Sequence, residues 1–234
     1  MSNEPRLFTL IPFGAPGVGK SNLMNKLIGK EGRFISSSAV TSGVTKNISY
    51  EQGPAFGIEG NPLLRVYDVP GVGDYDLPMI DIIDDIKKNI GSKQNIDAAL
   101  VVLKITDYRM SIQEMYAIKT ITRMIDNSNS GDTFMILTHC DKLQPSDELI
   151  SGKLASFKKS GPLDIPREKV INFDNTTESL RQFISKLKKS DMHFHENLEE
   201  KVKEIKKELP GDFKLQDAAE GTHNLEMYKM MLEM

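Results

Sequence analysis

One continuous segment, Gly14-Ala15-Pro16-Gly17-Val18-Gly19-Lys20-Ser21, concentrates the residue types that can handle a chain of phosphates. Its glycines let the backbone curl until several N–H groups converge on a small concavity. Apolar residues 7–13 read as a strand before it and residues 22–28 as a helix after it, so a helix N-terminus adds positive potential at the same point. Lys20 reaches the outer phosphates as a point charge, and the Ser21 hydroxyl is placed for a magnesium ion bridging them. The candidate phosphate-binding residues are therefore Gly14, Gly17, Val18, Gly19, Lys20, Ser21 and Asn22, with Lys20 also neutralising charge during transfer. An ordinary Gly-rich turn is the competing reading, and the order and strand–helix context weigh against it.

Further along, Asp68-Val69-Pro70-Gly71 closes a second apolar strand pattern, 63–69. A carboxylate at that sheet edge can hold a magnesium-bound water, and Gly71 can offer its N–H to a terminal phosphate without a side chain intervening. Between the two motifs lies the hydroxyl-rich stretch 40–46, in which Thr45 is the first choice for a second hydroxyl ligand of magnesium and Thr41 the alternative. The metal set is thus Ser21, Thr45 and Asp68. After the strand ending at Thr138 comes His139-Cys140-Asp141. The Asp141 carboxylate can accept two hydrogen bonds from guanine's ring N–H and exocyclic amine, a pair adenine does not present, which favours GTP and GDP. Asp141 as a plain turn residue is the other reading, because the usual Asn-Lys-x-Asp pattern is here Thr-His-x-Asp. His139 either covers the base or packs, and Cys140 reads as a small buried apolar residue. Asn175 either walls the base or caps the next helix.

These residues need a frame, and the apolar pattern supplies one. Buried-strand runs at 7–13, 63–69, 98–105, 133–138 and 170–173 alternate with helical periodicities, with a more exposed edge strand near 46–52. The expected fold is α/β, a doubly wound, mostly parallel sheet with helices on both faces. Helical faces recur at Ile80, Ile83, Ile86 and Ile90, at Met115, Ile118, Ile121 and Ile125, and at Leu180, Phe183, Ile184 and Leu187; Ser111 and Asn175 stand as N-caps three residues before Glu114 and Glu178. Residues 1–190 form the expected main domain, and 191–234 a charged extension, helical from His193 to Leu209 with an apolar stripe at Leu198, Val202, Ile205 and Leu209, followed by a loosely ordered tail. Thirty basic and thirty-three acidic residues leave a net charge of −3, which offers no bulk attraction for nucleic acid or anionic membranes. The longest apolar run, 98–103, is about a third of a membrane span, and the lone cysteine together with a polar N-terminus fits a reducing cytoplasmic setting.

Taken in order, 14–21, Val44-Thr45-Lys46, 68–71, 138–141 and Phe173-Asp174-Asn175 resemble the GTPase of immunity-associated protein family and its relatives, the septins and the chloroplast outer-envelope Toc GTPases. The segment 101–111 also resembles the stretch between the third and fourth motifs of that branch. The resemblance covers about residues 6–189 and implies a P-loop GTPase with nucleotide-dependent dimerisation across the GTP faces. It also implies, for many members, a C-terminal membrane attachment, which leaves peripheral membrane contact open although no anchor is visible after Pro210. Asp174 departs from the pattern, standing where members commonly have the first of two asparagines. Arg109 has two readings: a trans-acting arginine on the partner's phosphates, or a surface ion-pair residue. Val72 occupies the position where small signalling GTPases carry a water-aligning glutamine, so slow turnover is expected, and a nucleotide-binding scaffold with negligible turnover is the rival expectation.

Overall fold

In the computed structural model the described residues are 6–35, 45, 47–71, 79–91, 95–106, 115, 123–126, 133–160, 164–190, 192–198, 200, 201, 203 and 204. Their elements in chain order are β1 (Leu7–Phe13), α1 (Lys20–Ile28), β2 (Ser49–Pro54), β3 (Leu63–Asp68), α2 (Met79–Asn89), β4 (Ala98–Lys104), β5 (Ile125–Asp126), β6 (Thr133–Thr138), α3 (Asp147–Ser160), β7 (Val170–Asn172), α4 (Thr177–Lys186) and β8 (His193–Phe194). Six strands form one sheet in the order β2-β3-β1-β4-β6-β7. All neighbours are parallel except β2, which pairs antiparallel with β3 at the edge. This is the doubly wound arrangement expected.

Strand alternation distributes the apolar side chains to two cores, one on each face of the sheet. Phe8, Leu10, Leu64, Val66, Leu100, Val102 and Ile136 pack with Leu23, Met24 and Leu27 of α1 and Leu180 and Phe183 of α4. Ile11, Phe13, Tyr67, Val101, Leu103 and Leu137 pack with Ile82 and Ile86 of α2 and Ile150 and Phe157 of α3. Each fully buried residue of this size contributes about 1.5–3 kcal/mol, and the Phe134–Phe183 edge contact at 5.0 Å adds directionality. Strand order reverses around β1, so the loop after β1 opens at the switch point where open α/β sheets bind ligands.

Three local expectations differ from the structure. Ile125 does not continue a helix; it pairs with Phe194 in the small antiparallel sheet of β5 and β8. Its apolar spacing fits either period, and the Phe194 partner decides it. The helical start expected at His193 is a strand instead, and helical backbone resumes at Leu198. Here Met192, Phe194 and Leu198 are all buried in the main core, with Phe194 edge-on to Phe13 at 6.4 Å. The α4 cap is Thr176, not Asn175: Thr176 is extended, and its hydroxyl accepts from the Ser179 N–H. Asn175 is left-handed at φ 67, held there by the Asp174 carboxylate, which accepts from Thr176 N (3.1 Å) and Thr176 Oγ1 (2.6 Å). The Ser111 cap, Ile118 and Ile121 lie outside the described residues.

At the opposite edge of the sheet from the phosphate loop, Asp97 ties the returning chain to β1. Its carboxylate accepts from Thr9 N (2.8 Å), Ser190 N (3.1 Å) and Lys189 Nζ (2.9 Å), and its side chain is 1% exposed. Nothing in the local sequence marks this residue.

Candidate functional site

The phosphate loop leaves β1 at Gly14 and runs to α1, which begins at Lys20 behind a left-handed Gly19 (φ 96) with no side-chain cap. Uncapped N–H groups of the first turn therefore remain available to an anion. Gly17 sits exposed at the loop apex, also left-handed (φ 72), and Val18 is buried beneath it. Lys20 is buried, and its ammonium donates to the carbonyls of Gly14 (3.0 Å) and Ala15 (2.9 Å). Those two bonds fix the cation inside the curl of the loop.

Beside Lys20, three oxygen-bearing side chains converge from separate elements. Ser21 Oγ lies 3.0 Å from both carboxylate oxygens of Asp68 at the end of β3. Thr45 Oγ1 donates to Asp68 Oδ2 at 3.0 Å and stands 3.4 Å from Ser21 Oγ. Burial pushes the Asp68 carboxyl above the usual carboxylate range, partly opposed by donation from Ser21 and Thr45 and by the Lys20 charge. Two hydroxyls and one carboxylate, all hard oxygen donors, fit a magnesium ion bound with few protein ligands and several waters. The expected set Ser21, Thr45 and Asp68 is thus brought together; Thr41 lies outside the described residues.

Gly71 packs directly on the phosphate loop. A Cβ there would meet Pro16 N at 2.6 Å and Pro16 Cα at 2.7 Å, backbone atoms that cannot step aside cheaply. The two expected phosphate-facing segments therefore touch, and only a glycine permits that approach.

On the far side, the segment after β6 turns sharply. His139 is left-handed (φ 62), and its carbonyl accepts from Lys142 N (3.0 Å) and Leu143 N (3.3 Å), which presents Asp141 as an exposed side chain at the turn. Cys140 N donates to Phe173 O (3.2 Å) and its thiol to Leu137 O (3.1 Å), joining this turn to the loop carrying Asn175. Burial raises the Cys140 thiol to about 11, consistent with an inert packing residue. Asn22 Nδ2 donates to Asn175 Oδ1 (2.9 Å), so α1 and the proposed base wall are linked directly. Thr138, absent from the sequence-derived set, is buried with its hydroxyl on Val18 O (2.7 Å) of the phosphate loop. Its place at the head of the Thr-His-x-Asp segment was the available signal. Arg109 and Val72 lie outside the described residues.

A parallel sheet of this order, with a lysine-bearing phosphate loop at its switch point and a hydroxyl–carboxylate cluster alongside, defines a P-loop GTPase, a GTP-hydrolysing enzyme. Within that class the chain belongs to the AIG1 family, whose model matches residues 8–217. Solved structures of similar fold include Toc33 from Arabidopsis thaliana in complex with Mg2+ and GMPPNP, at 19% identity over 74% of this chain and 72% of that one, TM-score 0.56. Another is a chloroplast translocon structure bearing on atToc33 and psToc159, for whose GTPase activity dimerisation is important (19% identity, 72% and 70% covered, TM-score 0.56). A third is an Aquifex aeolicus Era mutant bound to GDP and AlF4−, at 18% identity over 79% of this chain and 58% of that one, TM-score 0.53. At these identities the likeness is one of fold. No curated protein matches the sequence. Among the described residues no helix is long and apolar enough to cross a membrane.

Proposed function

We propose that this protein binds GTP and GDP with magnesium and hydrolyses GTP slowly, under the control of nucleotide-dependent dimerisation. The observation that carries the reading is the convergence of Ser21, Thr45 and Asp68 beside the Lys20 ammonium. In this reading Ser21 and Thr45 supply hydroxyl ligands to magnesium, and Asp68 accepts from a magnesium-bound water. Bound there, magnesium would supply neutralising charge to the outer phosphates. Lys20 does the same as a fixed cation, the backbone N–H groups of Gly14, Gly17, Val18 and Gly19 cradle the phosphates, Asn22 borders them, and Gly71 N–H faces the terminal one. Asp141 accepts from guanine, with His139 and Asn175 as the walls of the base site.

Three features bear on turnover and partners. Val72 brings no polar atom to orient water, which supports slow hydrolysis and equally a second reading, an oligomerisation scaffold with negligible turnover. Arg109, on the segment resembling the branch between the third and fourth motifs, is the candidate for contacting a second protomer's phosphates. Dimerisation is important for the GTPase activity of the similar Toc components, which supports the dimer reading here. The motif order supports a GTPase of immunity-associated protein type within the family, and the net charge of −3 and lone cysteine support a cytoplasmic protein that works on nucleotide and a second copy of itself rather than on nucleic acid.

Competition of GTP against ATP for a fluorescent nucleotide tests the ligand: GTP must win by a wide margin. Ser21→Ala must weaken affinity with magnesium more than without it. Single-turnover hydrolysis must accelerate with protein concentration; turnover that stays negligible at both low and high concentration would select the scaffold.

A further inference from the structure

Thr45 reaches the metal cluster on a short return that ends in β2. Ser49, the first residue of β2, is the register partner of Asp68, and just before it in the chain the Thr45 hydroxyl donates to the Asp68 carboxylate at 3.0 Å. Residues 45–49 therefore leave and regain the same residue of β3, with Ile48 between the two contacts. Ile48 precedes the β2–β3 pairing, so its N–H falls outside the ladder, and its side chain is buried in the core shared with Tyr67, Val69, Ile82 and Ile86. A backbone donor in such a place needs an acceptor. α2 supplies it: Asp85 Oδ2 accepts from Ile48 N at 2.8 Å. The other carboxylate oxygen, Oδ1, accepts from Asn89 Nδ2 one turn on (3.3 Å), and the same amide donates to the Asp85 carbonyl (3.0 Å). The carboxylate is thus steered from its own helix while it holds a loop from another element.

We propose that Asp85 is a positioning residue for the magnesium site: its bond to the Ile48 N–H fixes the return that carries Thr45 to Ser21 and Asp68, and so makes the seating of the Thr45 hydroxyl depend on where α2 lies. The inference rests on the reading of Ser21, Thr45 and Asp68 as the magnesium set. α2 is the next described element after Gly71, the residue packed on Pro16 of the phosphate loop. One side-chain bond therefore joins the helix that follows Gly71 to the segment that bears Thr45. A carboxylate suits the task because it has an acceptor oxygen for each of its two donors, the Ile48 N–H and the Asn89 amide. Asp85→Asn keeps one acceptor oxygen for Ile48 and leaves the exposed Asn89 amide to water. Asp85→Ala keeps none, and the Ile48 N–H loses its partner.

The test titrates magnesium against the binding of a fluorescent non-hydrolysable GTP analogue by the full chain, as wild type, Asp85→Ala, Asp85→Asn, Thr45→Val and the double variant Asp85→Ala/Thr45→Val. Asp85→Ala is expected to raise the magnesium concentration for half-maximal binding about 5- to 20-fold, the effect of one hydrogen bond to a carboxylate. Asp85→Asn must recover it to within about threefold of wild type. The double variant must need no more magnesium than Thr45→Val alone, because Asp85 acts through Thr45. A merely structural role would instead lower the urea midpoint and leave the magnesium requirement where it was. If Asp85→Ala does not fold, Asn89→Ala, which removes only the exposed support of the carboxylate, must raise the requirement about 2- to 5-fold. A folded Asp85→Ala with the wild-type requirement would overturn the proposal, as would an Asn variant as impaired as Ala, losses that multiply in the double variant, or an Asn89→Ala at wild-type level where Asp85→Ala is unfolded. Thr45→Val with the wild-type requirement defeats the metal reading itself, and this inference with it. Wild-type behaviour of the Asp85 variants beside an impaired Thr45→Val defeats this inference alone.

Discussion

Replacing Asp97 gives the sharpest stability test, because its carboxylate is buried and each of its bonds is accounted for. Oδ2 accepts from Thr9 N and Lys189 Nζ, and Oδ1 from Ser190 N. Asp97→Ala leaves the Thr9 and Ser190 N–H groups without an acceptor, at about 1–3 kcal/mol each plus the charge-assisted bonds lost, so the expected cost is about 3–6 kcal/mol. Asp97→Asn is not a conservative change here. An amide has one acceptor oxygen, so in either orientation its NH2 faces one of the backbone N–H groups, and the expected cost is about 2–4 kcal/mol. Both are large against the 5–15 kcal/mol typical of a folded chain. Lys189→Met is the control: the lysine is 46% exposed, its ammonium lies over the Phe8 ring, and Asp97 keeps both backbone N–H donors, so the expected cost is about 1–2 kcal/mol, more than a surface ion pair and less than Asp97→Ala. Urea unfolding followed by circular dichroism gives the differences from the midpoint shift and slope. An Asp97→Asn variant within about 0.5 kcal/mol of wild type, the range of an ordinary surface change, would refute the reasoning. So would a Lys189→Met variant as destabilised as Asp97→Ala.

Gly71→Ala forces a methyl against Pro16 backbone atoms at 2.6–2.7 Å and must displace the phosphate loop; nucleotide affinity should fall about 10- to 100-fold, and unchanged binding would mean the loop yields freely. Glu51 is held down to about 2 by Lys30 and then Arg33, from an ordinary 4.5. A depressed carboxylate binds fewer protons folded than unfolded, so its contribution is present above pH 4.5 and is lost as pH falls toward 2. The thermal midpoint of Glu51→Gln should therefore lie below wild type at pH 7 and converge with it on acidification, and a gap that stays constant would contradict this. Cys140, buried and with its thiol raised to about 11, should resist alkylation in the native protein at neutral pH and label fully in denaturant; fast native labelling would place it in an open site.

The sequence alone determined what is carried by contiguous residues. Continuous apolar runs specified five parallel strands because a strand buried on both faces needs apolar residues at every position, and the phosphate loop was legible because all its parts fall within 14–21. Tertiary structure decided everything that depends on which distant segments meet. Ile125 has spacing that fits a helix, but the Phe194 partner makes it a strand. Asn175 has the chemistry of a cap, but the Asp174 turn places it left-handed and gives the cap to Thr176. Thr138 meets Val18 across 120 positions, and Asp97 meets Thr9 and Ser190 across 88 and 93. A polar side chain carries no local sign of its partner at such separations, because the bond exists only once the sheet order has brought the two strand ends together.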